Sequence, residues 1–81
     1  TSCEPCAMCL GALLWAGLRR VVCAASRVDA CGIGFDEGPV FPASHAYLKE
    51  RGVEIVQGLL AKEAREVLKD YARRGGLVYN G

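Results

Sequence analysis

Two cysteines framed by a proline at the head of a helix constrain this chain more than any other feature. The sequence opens Thr1-Ser2-Cys3-Glu4-Pro5-Cys6-Ala7-Met8-Cys9-Leu10-Gly11-Ala12, and the apolar run continues through Leu13, Leu14, Trp15 and Ala16. Proline lacks the N–H that a helix start leaves unpaired, so Pro5 is placed to open a helix running from about Pro5 to Ala16. Cys6 and Cys9, three apart, then project from nearly the same face of its first turn. Free N–H groups and the positive end of the dipole favour thiolate over thiol there, which suits a metal ion. Zinc takes four ligands, and a catalytic zinc keeps one position for water, so the cysteine pair leaves the set to be completed from elsewhere.

The rest of the chain alternates helix and strand. Gly17 stops the first helix, with Arg19-Arg20 supplying cations near its C-terminal end. Val21-Val22-Cys23-Ala24-Ala25 is apolar without alternation and reads as a short buried strand. A glycine- and proline-bearing loop follows from Ser26 to Pro42, with one helical turn near Val28 to Cys31. Ala43 to Arg51 reads as a short helix ended by Gly52, and Val53-Glu54-Ile55-Val56-Gln57 alternates as a strand. A helix between two strands makes a crossover, which predicts parallel pairing in one sheet. From Ala61, the residues Ala64, Val67, Leu68, Tyr71 and Ala72 recur at helical spacing against a charged face, and Gly75-Gly76 end the helix. The fold class is α/β.

At 81 residues the chain makes one domain and buries its apolar surface inefficiently. With 52% hydrophobic and 23% charged residues the composition is globular, and a formal charge of +1 lacks the electrostatic footprint of a nucleic-acid binder. Five cysteines, an odd number at metal-site spacing, argue against a disulfide framework and for a reducing, cytoplasmic compartment. Cys23 and Cys31 read as small buried hydrophobes, and Cys3 as a buried thiol. No apolar run reaches the length of a membrane span. Trp15 reads as a core or interface residue, and His45, the only histidine, as a surface or helix-start residue rather than a ligand.

Pro-Cys-x-x-Cys on a helix is the downstream half of the signature of zinc nucleobase deaminases, whose upstream half is His-x-Glu. Over Ser-Cys-Glu-Pro-Cys-Ala-Met-Cys-Leu-Gly-Ala the chain resembles the cytidine deaminase-like superfamily, in its guanine deaminase and tRNA adenosine deaminase branch. The resemblance implies that residues 1–81 form the C-terminal half of a helix-sheet-helix sandwich, with the His-x-Glu half lying before Thr1. It implies Zn2+ held by Cys6 and Cys9 with an upstream histidine, an upstream glutamate as general acid/base, and a homodimer. Backbone N–H groups at the start of the first helix are expected to face the reacting centre.

Gly34-Phe35-Asp36-Glu37 resembles the Gly-Phe-Asp-Asp region of guanine deaminases, with Asp36 and above all Glu37 as base-reading carboxylates. From the residues alone, a charged turn before Gly38-Pro39 fits as well. Tyr79 is a third substrate-contact candidate, reaching a site across a dimer as the resemblance allows. The implied activity is zinc-dependent hydrolytic deamination of a small-molecule purine base or nucleoside, guanine first. Two alternatives are a tRNA adenosine deaminase and a non-catalytic structural zinc-binding or interaction fragment.

Overall fold

In the computed structural model, which describes residues 1–78, the apolar runs form a parallel strand pair with helices around it. The order is α1 (Ala7–Ala16), β1 (Arg20–Val22), α2 (Arg27–Gly32), α3 (Pro42–Glu50), β2 (Glu54–Val56) and α4 (Ala61–Arg73). β1 and β2 run parallel, with Arg20 opposite Glu54, Val21 opposite Ile55 and Val22 opposite Val56. The crossover that parallel pairing requires is supplied by α2 and α3. On the other edge of β1 the opening residues extend the ladder. Ala25 N–H donates to Ser2 O and Glu4 N–H to Ala25 O, both at 2.9 Å, so Cys3 and Ala25 form a parallel bridge.

That bridge explains where α1 starts. The chain is still extended at Glu4, and Cys6 keeps an extended conformation (φ −70°, ψ 177°) as the N-cap, so Pro5 lies outside the helix it was expected to open. Gly17 closes α1 in the left-handed region at φ 72°, as expected of a C-terminal glycine. Arg20 is a strand residue, 3.6 Å from Glu54 across the ladder, rather than a cation on the last turn of α1.

α2 is longer than a single turn because Ser26 and Asp29 cap it reciprocally. Asp29 N–H donates to Ser26 Oγ at 3.2 Å, and Ser26 N–H donates to Asp29 Oδ2 at 3.0 Å. α4 has the expected helical period, yet none of its residues is buried.

Leu10, Val21, Cys23, Val40, Leu48 and Val53 form the core, joining α1, the strands and α3. Cys23 is 1% exposed, as a buried hydrophobe should be. Cys31 is not buried, because the short α2 turns Ala30 inward and leaves its neighbour facing solvent. Trp15 is 87% exposed, so it has no place in this core; it stands with Met8 and Leu18 among the exposed apolar residues of α1 and its exit. No helix among the described residues is long and apolar enough to cross a membrane.

Candidate active site

Three pieces of chain meet at the N-terminal end of α1. The edge segment brings Cys3, the helix start brings Cys6 and Cys9, and the loop after α2 brings Phe35 and Glu37, all lining one cleft of about 810 Å3. The loop is fastened to the helix by its backbone, with Ala7 N–H donating to Glu37 O at 2.9 Å. Asp36 Oδ1 accepts from Gly38 N–H at 2.9 Å and closes the turn behind it.

The cysteine pair is asymmetric. Cys6 occupies the N-cap and Cys9 the third helical position, where the N–H of the later residue points back at the cap side chain. The Cys6 sulfur makes no cap hydrogen bond of ordinary geometry. The Cys9 N–H is nevertheless the main influence holding its pKa below the usual thiol value, with Met8 N–H helping. The Cys9 thiol, hydrogen-bonded to Cys6, is pushed up by that partner. The surroundings thus favour the thiolate at Cys6 over that at Cys9. Of the first-turn N–H groups, that of Ala7 goes to the loop, and those of Met8 and Cys9 lower the pKa of Cys6.

Cys3 behaves as the thiol it was expected to be. It is half-buried, its Sγ donates to Ser26 O at 3.7 Å, and burial is the chief cause pushing its pKa up to about 11. Glu37 is half-buried with its pKa raised, first by burial, with Asp36 adding to the rise and Arg27 opposing it. Its charge also acts on Cys3, Cys6 and Cys9. Of the two acidic candidates, then, Glu37 lines the cleft, whereas Asp36 is exposed and shapes the turn. Tyr79 lies outside the described residues.

His45 sits in the first turns of α3 and lines a separate hollow with Glu54 and Gln57. Glu4 accepts from Gln57 Nε2 at 2.8 Å, which ties its carboxylate to the strand side rather than to the α1 dipole. Among the described residues no group of three His, Cys, Asp or Glu side chains is gathered for a metal. Phe35, which had no assigned role in the sequence reading, lines the cleft beside Glu37. Its signal in the sequence was its place in the Gly34-Phe35-Asp36-Glu37 stretch that carries the resemblance.

No protein-family model matches the chain. It is 40% identical over 62 residues to guanine deaminase of Bacillus subtilis, covering 76% of this chain and 40% of that protein. It superposes on the crystal structure of guanine deaminase from Nitrosomonas europaea with a TM-score of 0.84 at 44% identity, covering 88% of this chain and 39% of that one. A solved structure of a complex with 2,6-diaminopurine gives a TM-score of 0.87 at 44% identity, covering 96% of this chain and 41% of that one. The chain spans about 40% of the length of these relatives. Over that span it shares their α/β fold, and the likeness supports a deaminase family of the cytidine deaminase-like type.

Proposed function

We propose that this chain carries the thiolate ligands and the base-reading carboxylate of a zinc-dependent deaminase that acts on a purine, guanine first. The observation that supports this reading is convergence: Cys6 and Cys9 from the start of α1 and Glu37 from the loop after α2 line one cleft. The donor chemistry fits zinc as far as it goes, with a thiolate favoured at Cys6 beside a second thiol at Cys9. Cys6 and Cys9 would hold the metal, which when bound supplies a water acidified toward neutral pH. A third ligand and the general acid/base come from elsewhere, for which the family signature offers His-x-Glu.

Residues of this chain then set the substrate. A Glu37 carboxylate accepts hydrogen bonds from the ring N–H and amino group of guanine, a donor pair that adenine and cytosine do not present in the same pattern. Glu37 is held for this by its own main chain, since its carbonyl is bonded to Ala7. The Phe35 ring flanks the same space with an apolar wall. The exposed apolar residues Met8, Trp15 and Leu18 support burial against a further surface, and a homodimer is part of the proposal. A formal charge of +1 supports a small-molecule partner over a nucleic acid, and the five free thiols support a cytoplasmic setting.

The test is ammonia release from guanine, adenine and cytosine by the protein expressed from its whole reading frame and supplied with zinc. The reading expects guanine to be turned over in clear preference. No release from guanine, or preferred release from adenine or cytosine, would overturn it.

A further inference from the structure

Among the described residues, the loop that carries Glu37 is held from outside the cleft as well as from within it. At one end Phe35 N–H donates to Ala30 O of α2 at 3.3 Å, and at the other Glu37 O is bonded to Ala7. Between them the Phe35 ring stacks on the Tyr71 ring of α4, with centroids 6.3 Å apart and planes at 27°. Offset aromatic pairs at this separation attract beyond the area they bury.

Tyr71 is itself held in place. Its hydroxyl donates to Leu77 O, so residues after α4 loop back over the ring. Gly76 makes this wrap possible, because a Cβ there would collide with the Tyr71 ring. α4 otherwise docks lightly, with no buried residue and one ion pair to the neighbouring helix, Arg65 to Asp29 at 3.8 Å. Alongside the half-buried Ala64 and Leu68, the Tyr71 ring is the part of α4 that presses on a residue of the cleft wall.

We infer that Tyr71 is a positioning residue: by stacking on Phe35 it sets the loop that places the Glu37 carboxylate, so α4 controls purine binding from behind the site. The purine part of this statement rests on the proposed function, whereas the coupling from α4 to the loop does not. Tyr71 touches no substrate and does no chemistry. Its ring is the required feature, and its hydroxyl only steadies the ring.

The experiment uses the 15N-labelled protein from the whole reading frame, with Tyr71→Ala, Tyr71→Phe and Gly76→Ala variants. Amide shifts read the coupling, and titration with guanine reads binding. Tyr71→Ala and Gly76→Ala should shift the amides of Phe35, Glu37 and Ala7 and weaken guanine binding by about two- to tenfold, the range an aromatic pair supplies. Tyr71→Phe should restore both to near wild type, which a merely structural loss at α4 would not explain. Tyr71 is partly exposed and no residue of α4 is fully buried, so the variants are expected to keep the fold. Shifts confined to α4 and residues 74–77 would overturn the inference whatever the binding result. Shifts that reach Glu37 in a protein with no affinity for guanine would keep the coupling and sink the functional reading instead.

Discussion

Replacing Gly38 with alanine tests the fastening of the Glu37 loop to α1. Gly38 has φ +74°, and a Cβ there would lie 3.0 Å from the Cβ of Ala7. Two costs follow. An L residue in the left-handed region costs about 1–2 kcal/mol, and the tight methyl contact adds a packing strain of about 1–3 kcal/mol. Ala7 cannot yield freely, because it is the first residue of α1 and its N–H is bonded to Glu37 O. Gly17→Ala is the matched control, since Gly17 has φ +72° with nothing within 4 Å of the added Cβ. Both variants also lose some unfolded-state freedom, which offsets each by a similar amount, about 0.4–1 kcal/mol. The difference between them therefore isolates the contact, and urea unfolding followed by circular dichroism should find Gly38→Ala the less stable by about 1–3 kcal/mol at equal m-value. Equal destabilisation of the two would refute the packing of the loop against the helix start.

Other consequences follow from the same geometry. The folded-state pKa of Asp29 is lowered, first by the Ser26 N–H, so its stabilising contribution is present above the usual carboxylate value and lost as pH falls through the depressed one. Asp29→Asn should flatten the acid limb of thermal unfolding measured across about pH 2 to 6, and an unchanged limb would count against the capping box. Glu37 has the opposite sign: with its pKa raised by burial, its ionisation opposes folding, an effect absent below the unfolded value and growing as pH rises through the folded one. Glu37→Gln should therefore gain stability over wild type at neutral pH but not in acid, while losing guanine binding by calorimetry. Cys31 should be alkylated by iodoacetamide well before Cys23, as peptide mass mapping would show, because one is exposed and the other is 1% exposed.

The periodic parts of the sequence translated well into structure. The long runs behind α1 and α4 and the parallel pairing of the strands rest on spacing or on a helix between strands, whereas the placing of Glu37 with the cysteine pair came from the family resemblance alone. What spacing does not carry is what lies across the fold. The bridge between Cys3 and Ala25 keeps the chain extended up to Pro5, so the helix begins after Cys6 and the cysteine takes the cap. The Ser26-to-Asp29 cap lengthened α2 despite the weak helix formers Val28 and Gly32, and the short turn of that helix put Cys31 outside. Trp15 sits at an apolar helix position that usually packs, yet the described residues leave it exposed. Without the family resemblance, nothing in the sequence separates Asp36 from Glu37 in the charged turn. Only the turn at Gly38 and the bond to Ala7 separate the one that shapes the loop from the one that lines the cleft.

The most direct measurement is the absorption spectrum of the whole-reading-frame protein loaded with Co2+ in place of zinc, recorded with and without guanine. The account predicts a thiolate-to-metal charge-transfer band that Cys6→Ser or Cys9→Ser diminishes, and that guanine perturbs in the wild type but not in Glu37→Gln. A spectrum without such a band, or one indifferent to both cysteine substitutions, would contradict the claim that Cys6, Cys9 and Glu37 form a single site.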